Sequence, residues 1–273
     1  MKLYAEQCEI SYWEKLNPLL SIGADYDQGL DAKLSEDALD KISDSLNKDG
    51  YFSLPPIISE NLINDLREGM MNLRGANIPP AYIYVYDQAW FLFASVGKLL
   101  SRFLGENHAL LPNFWAWHLE TQAGAVGWPP HQDCQAETCF QIEHDNYVFM
   151  SLSLWIPLND TDEDNGCMVV LPRSVVEQYD QPITDVDQVS LEDGKLLPAK
   201  AGSVMGWGQD IYHWSSRATG QSDTPRISLS LEFQNTGFAP LSEPLLDART
   251  PISFEERLKM IAIQFDKYRH MIP

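Results

Sequence analysis

The residues best suited to chemistry stand in one short stretch, Pro129-Pro130-His131-Gln132-Asp133. A Pro-Pro pair cannot sit inside a helix, so the backbone here is extended or turned. In extended backbone, residues i and i+2 point to the same face. The imidazole of His131 and the carboxylate of Asp133 therefore converge on one point. One nitrogen donor and one oxygen donor suit Fe(II), Zn or Mn better than a thiolate-loving metal. An H-x-D pair also arises by chance, so the reading depends on a third ligand from a distant segment.

Of the six histidines, His108 falls in an expected loop, His144 in an acidic loop and His270 at the C-terminus. Beside His131, that leaves His118 and His213. His213 follows Gly202 to Gly208, a strand-like run ending in small residues, and precedes Trp214-Ser215-Ser216. A histidine at a strand end, beside a turn that other groups can approach, suits a ligand. Two histidines and one carboxylate on one face make the facial triad of non-heme Fe(II) oxygenases, with positions left for a chelating cosubstrate and O2. A dicarboxylate cosubstrate needs a cation for its far end. Arg226 opens the run Arg226-Ile227-Ser228-Leu229-Ser230, and Arg226 and Ser228 share a strand face. Guanidinium and hydroxyl could grip one carboxylate together. The competing reading is a surface strand with a solvated arginine.

These groups need a scaffold. Residues 1–34 carry scattered aromatics (Tyr4, Tyr12, Trp13, Tyr26) without clear periodicity and read as a lead-in packed on the main body. Ser35 caps an amphipathic helix with Leu39, Ile42 and Leu46 on one face and Gly50 at its stop. A short strand at 51–54 follows, then a helix from Ser59 carrying Leu62, Ile63, Leu66, Met70 and Leu73. The spacing predicts a third helix over about 88–104. From Leu110 the period becomes two, with Phe114, Ala116, His118 and Glu120 alternating with Trp115, Trp117 and Leu119. Further strand-like runs lie at 147–157, 167–172, 203–207 and 226–233, separated by turn clusters such as 159–166. Many short strands with turn signals predict a mainly β jelly-roll core with helices packed outside. Ser253-Phe254-Glu255-Glu256 opens a C-terminal helix over 253–270. With no repeat and no composition break, residues 1–273 are expected to form a single domain.

Composition limits the partners. A net charge of −20 repels polyanions, so nucleic acid, anionic membranes and a coenzyme A thioester are disfavoured, and a neutral or cationic small molecule is favoured. No apolar run is long enough to span a membrane, and the N-terminus lacks a basic-then-apolar leader, so the expected location is cytoplasmic. The four cysteines show no C-x-x-C pair and read as small buried hydrophobes. The aromatic set Trp115, Trp117, Trp128, Phe140, Tyr147 and Trp207 could line an apolar pocket or fill the core, and reads mostly as core.

The order of segments resembles the phytanoyl-CoA dioxygenase family. It runs His131-Gln132-Asp133, then Leu154-Trp155-Ile156-Pro157-Leu158, then Asp164-Asn165-Gly166 through Pro172, then His213 and Arg226. The resemblance covers about residues 36–234. It implies a double-stranded β-helix, a jelly-roll or cupin-like variant, and an Fe(II)- and 2-oxoglutarate-dependent oxygenase. It further implies that His131, Asp133 and His213 hold iron, that Arg226 binds the distal carboxylate of 2-oxoglutarate, and that Trp155 and Ser215 stand where family members contact the cosubstrate. His118, on the aromatic strand, could face the pocket or be satisfied by a neighbour. The implied reaction hydroxylates an unidentified small molecule with O2 and releases succinate and CO2. Halogenating relatives carry a small residue where Asp133 stands, so the carboxylate favours hydroxylation. Two departures stand out. Arg173-Ser174-Val175 replaces the family's usual Gly-Ser-His, so Arg173 could meet a substrate anion or an acidic neighbour, and the mixed segment 134–146 reads as a lid. The alternatives are a metal-dependent jelly-roll enzyme without 2-oxoglutarate and a non-catalytic binding module.

Overall fold

The structure, a computed structural model, describes residues 4–24, 32, 34–143 and 146–270. Tyr26 of the lead-in and His144 of the expected lid therefore lie outside the described residues. Helices α1 (Ile10–Leu16), α2 (Glu36–Asp49) and α3 (Glu60–Gly75) flank the short strand β1 (Tyr51–Leu54). The α2 boundaries follow the sequence signals. Ser35 Oγ accepts the Ala38 N–H at 3.2 Å, and Gly50 ends the helix at φ 78°. A Cβ on Gly50 would lie 2.3 Å from the Ile211 side chain, so both the turn and the close approach require glycine there.

The single helix expected over 88–104 is two, α4 (Asp87–Ala94) and α5 (Gly97–Leu104), preceded by a buried 3-10 turn at Pro80–Val85. The break falls at Val96, which leaves the helical region at φ −106°, ψ 22°, just after Ser95, whose hydroxyl turns back to the Leu92 carbonyl at 2.6 Å. The strands are β2 (Ala109–Leu119), β3 (Cys139–Glu143), β4 (Asn146–Phe149), β5 (Ser151–Pro157), β6 (Met168–Val170), β7 (Lys195–Leu197), β8 (Val204–Trp207), β9 (His213–Ser215), β10 (Arg226–Gln234) and β11 (Leu246–Asp247). The short helix α6 (Arg173–Val176) follows β6, and α7 (Phe254–Lys267) closes the chain with the expected Ser253–Glu256 capping box. The strand run expected at 147–157 divides at Met150 into β4 and β5. The expected lid contains β3, which pairs with β4 as a hairpin.

An antiparallel six-stranded sheet runs β1-β8-β5-β10-β2-β11, beside a three-stranded sheet β7-β6-β9 and the two-stranded β3-β4. The fold is mixed α/β, which corrects the expectation of a mainly β chain. Helices carry more of the ordered backbone than strands do, and no closed barrel is formed among the described residues. They are needed because the main sheet has one strongly apolar face. Leu152, Leu154 and Ile156 of β5 and Ile227, Leu229, Leu231 and Phe233 of β10 pack with the helices in one core. A smaller cluster, including Trp155, Met168, Val170 and Met205, fills the space between the main sheet and the three-stranded sheet. No helix among the described residues is long and apolar enough to cross a membrane.

The lead-in is tied down by burial. Trp13 is fully buried, stacks on Tyr82 at 5.4 Å and donates its indole N–H to the Gln7 carbonyl. Below it lies a buried ion pair, Arg257 Nη2 to Asp87 Oδ1 at 2.7 Å, with side chains 1% and 0% exposed. Asp87 also accepts from Ser21 Oγ and from the Gly23 and Ala24 N–H groups, while Arg257 donates to the Ile252 and Val85 carbonyls. One pair thus joins the lead-in, the 3-10 turn, α4 and α7. Asp87→Ala should strand a buried guanidinium and destabilise the protein by about 3–5 kcal/mol, read from the urea denaturation midpoint. Replacing both partners with apolar residues should recover most of that loss.

Candidate metal centre

The two candidate histidines meet through their backbones. His131 N–H donates to the His213 carbonyl at 3.1 Å, and His213 N–H donates to the His131 carbonyl at 3.0 Å. This isolated bridge docks the extended Pro-Pro-His segment on the start of β9 and sets the ring centroids 4.2 Å apart. Each imidazole is then oriented by its own Nδ1, which lies 2.7 Å from the Pro129 carbonyl in His131 and 3.0 Å from the Ile211 carbonyl in His213. A carbonyl only accepts, so both Nδ1 atoms carry the proton and both Nε2 lone pairs are free to bind a metal.

Asp133 completes the group. Its Oδ2 accepts Ser153 Oγ–H at 2.6 Å and the Trp207 indole N–H at 3.3 Å. Its Oδ1 then lies 3.7 Å from Nε2 of each histidine. One ligand atom from each residue falls within 4.8 Å of the others, the arrangement a two-histidine, one-carboxylate site needs. The charge states agree. Burial first, then the neighbouring His213, lowers the His131 pKa to about 4, which keeps the imidazole neutral. Burial alone would raise Asp133, but the two histidines, Ser153 and Trp207 outweigh it and hold the carboxyl below its ordinary range.

The cavity over the triad is lined by Trp117, Trp128, Trp155, Trp207, Tyr268 and the inner face of β10. Along β10, Arg226, Ser228, Ser230 and Glu232 share that face because strand residues alternate. Arg226 is 1% exposed, so the solvated-surface reading does not hold. Its Nη1 donates to the Gly166 carbonyl at 2.6 Å and to Ser215 Oγ at 2.9 Å. The guanidinium lies 5.9 Å from the ring centres of both Trp117 and Trp155. Gly127 passes so close that a Cβ there would come within 2.7 Å of Arg226 Nη2. Among the described residues no carboxylate pairs with Arg226, and burial lowers its pKa to about 10.

Several buried polar atoms here have no partner in the protein: Arg226 Nε, Ser228 Oγ, the Trp155 and Trp117 indole nitrogens and His131 Nε2. Buried polar groups are nearly always satisfied. Their concentration around one cavity fits a ligand with an anionic end at Arg226 and a metal at the histidines. The donor set of two imidazoles and one carboxylate fits Fe(II).

Four of the five expected cosubstrate residues adjoin this region: Arg226, Ser215 and Trp155 line the cavity, and Ser228 lies on the same strand face. His118 does not. The alternation that turns Trp117 inward turns His118 to the opposite face of β2, 3.6 Å from Glu120, which pairs with Arg74. Arg173 meets an acidic neighbour. It donates to the Leu46 and Asn47 carbonyls at the end of α2 and lies 3.7 Å from Asp210. Of the aromatic set, Trp117, Trp128 and Trp207 line the cavity, whereas Phe140 stacks on Phe238 elsewhere. Ser153, Gln209, Glu232 and Tyr268 escape the sequence reading, although the alternation that marks Arg226 and Ser228 extends to Glu232.

Comparison with known proteins agrees with this geometry. No curated protein matches the chain in sequence. The fold is similar to that of the epimerase SnoN in complex with Fe3+, alpha ketoglutarate and nogalamycin RO, with TM-score 0.54 and 16% identity over 74% of this chain and 85% of that one. It is similar to the non-heme alpha ketoglutarate dependent carbocyclase SnoK, with TM-score 0.52 and 13% identity over 82% and 100%. It is also similar to HygX from Streptomyces hygroscopicus with nickel and 2-oxoglutarate bound, with TM-score 0.54 and 10% identity over 79% and 97%. At such identities these likenesses speak for the fold. The phytanoyl-CoA dioxygenase family model matches residues 89–228, just over half of the sequence, a span that holds His131, Asp133, His213 and Arg226. The chain therefore belongs to the phytanoyl-CoA dioxygenase family of Fe(II)/2-oxoglutarate oxygenases.

Proposed function

We propose that the protein is an Fe(II)- and 2-oxoglutarate-dependent dioxygenase that hydroxylates a small molecule and releases succinate and CO2. In this reading residues 1–273 form one oxygenase domain, and the main and three-stranded sheets are the two halves of a double-stranded β-helix. The observation that carries it is the buried, carboxylate-free guanidinium of Arg226 on the same cavity as the His131–Asp133–His213 cluster. A metal enzyme that dispenses with a dicarboxylate has no need of such a cation, since an unpaired buried charge is costly.

Each residue has a distinct task. His131, Asp133 and His213 would hold iron, through Nε2, Oδ1 and Nε2. Ser153 and Trp207 keep Oδ1 turned toward the histidines by occupying Oδ2. Arg226 and Ser228 would take the distal carboxylate of 2-oxoglutarate, and Ser215 steadies the guanidinium by accepting its N–H. The Trp155 indole supplies a further donor, while Trp117, Trp128 and Tyr268 exclude water. Iron with 2-oxoglutarate and O2 supplies the oxidising power, and the protein decides which C–H bond is presented to it. A carboxylate at position 133 fills the place a halide would take, which favours hydroxylation.

Incubation with Fe(II), ascorbate and 2-oxoglutarate should yield succinate, and Asp133→Ala should abolish it. Iron-dependent binding of 2-oxoglutarate should be measured in parallel, and its absence together with absence of turnover would overturn the reading. Arg226→Met should weaken 2-oxoglutarate binding by about 2–5 kcal/mol while leaving metal affinity intact, as measured by anaerobic calorimetry. An unchanged cosubstrate affinity would point instead to a metal enzyme without 2-oxoglutarate. Ser153→Ala should lower metal affinity roughly ten- to a hundredfold by releasing Asp133 Oδ2, read from competition with a chelator.

A further inference from the structure

Two depressions at the surface lead toward the triad. One, of about 540 Å³, runs past Gln132, Gln135, Thr184 and Tyr212 and borders His131 alone among the three. The other, of about 350 Å³, lies under the end of α7 and borders His131, Asp133 and Glu232. The second therefore gives the approach to the metal side of the cavity, with Tyr268 as its wall.

Glu232 is built for an incoming group. It is 9% exposed, and its Oε2 accepts two side-chain amides, Asn113 Nδ2–H at 2.6 Å and Gln209 Nε2–H at 2.7 Å. With Oε2 held on both sides, Oε1 is the oxygen left for the cavity. No Lys, Arg or His of the described residues lies within ion-pair distance of Glu232. The Lys267 ammonium, the nearest candidate, is hydrogen-bonded to Asn113 Oδ1. Tyr268 and Trp128 line the same cavity and pack on each other, their centroids 4.5 Å apart, and the Lys267 ammonium lies 5.2 Å from the Tyr268 ring centre, so the aromatic wall there already tolerates a cation.

We propose that the substrate carries a positively charged amine that docks on Glu232 Oε1, so that Glu232 orients the substrate over the metal. This rests on the reading of the site as a 2-oxoglutarate oxygenase. The cavity is then bipolar, with Arg226 at one end of the inner face of β10 for the anionic cosubstrate and Glu232 at the other for the cationic substrate. The two groups are mirror images electrostatically. Burial depresses the guanidinium of Arg226 for want of an anion. Burial, reinforced by the charge of Asp133, pushes the Glu232 carboxyl up to about 8. An ammonium group would supply the missing counter-charge, and the chain's net charge of −20 draws cations toward it.

The test is anaerobic calorimetry on the full chain loaded with Ni(II) and 2-oxoglutarate. The probes are phenethylamine, phenethyl alcohol and 3-phenylpropionate, which share a ring and differ in the polar end. Phenethylamine should bind at least about tenfold more tightly than the other two. Glu232→Gln should erase that preference while keeping 2-oxoglutarate affinity within about twofold, which also reports that the variant folds. The proposal falls if phenethylamine does not bind at millimolar concentration, if the alcohol or the acid binds as well, or if the preference survives in Glu232→Gln. If 2-oxoglutarate itself fails to bind, the oxygenase reading falls. The amine preference, measured with Ni(II) alone, then still decides the role of Glu232.

Discussion

The reciprocal backbone hydrogen bonds between His131 and His213, at 3.1 and 3.0 Å, determine everything built above them. They join a proline-stiffened segment to a three-residue strand, neither of which could hold a metal ligand alone. Because the bridge is made by main chain, it fixes the Cα positions of both residues whatever their side chains do. The imidazoles then need only one further restraint each, and the carbonyls of Pro129 and Ile211 provide it two residues upstream in both cases. Asp133 inherits its place from the same segment, and Ser153 on β5 aims it. The ligand geometry is thus carried by backbone and by a rigid sheet, the kind of support that positions a reactive centre within tight tolerances.

A second constraint comes from β10, whose inner face is polar and whose outer face is apolar. Arg226, Ser228, Ser230 and Glu232 alternate with Ile227, Leu229, Leu231 and Phe233, and the strand is flanked on both sides by β2 and β5. Burying a guanidinium and a carboxyl at two ends of one strand costs stability, since neither is paired with an opposite charge inside the protein. The apolar face offsets that cost by packing against α2–α5 and the 3-10 turn. The helical layer therefore does more than cover a sheet. It supplies the burial that allows β10 to keep charged groups where a ligand can use them.

Much of this is legible from residue order, for identifiable reasons. His131, Asp133 and the Arg226–Ser228 pair are readable because a period of two converts spacing into a shared face. His213 is readable because small residues and a strand end surround it. The same period misleads at His118, since alternation reveals which residues share a face but not which face looks inward. Arg226 carries the same ambiguity. An Arg-Ile-Ser-Leu-Ser run is also the pattern of a solvated edge, and only the second sheet across the cavity decides. The α4–α5 break is a local turn of backbone at Val96 inside a continuous apolar pattern, and the 3-10 turn at Pro80–Val85 is too uniformly apolar to show a period. The hydrogen-bonded chain from Asn113 through Glu232 and Gln209 joins three distant segments, so no local pattern contains it.

The register of β10 links stability and chemistry more tightly than either would suggest alone. A one-residue slip against β2 and β5 would turn Leu229 and Leu231 into the cavity and force Arg226 and Glu232 into the helical core. That exchange would strand a guanidinium and a carboxyl in a fully apolar layer, a penalty far beyond the loss of a few sheet hydrogen bonds. These ionisable groups are thus costly in the correct register and prohibitive in the wrong one, which makes them specifiers of the fold as well as parts of the site. Their positions at opposite ends of the strand also explain why one element can serve two ligands. The Arg226 end is enclosed by Gly127, Gly166 and Ser215 and leaves no room for variation, as the 2.7 Å approach at Gly127 indicates. The Glu232 end opens under α7, at Lys267 to His270, where the chain can change its side chains without disturbing the register. Within one strand, the closed end suits a ligand of fixed chemistry and the open end suits the partner that distinguishes this protein from its relatives.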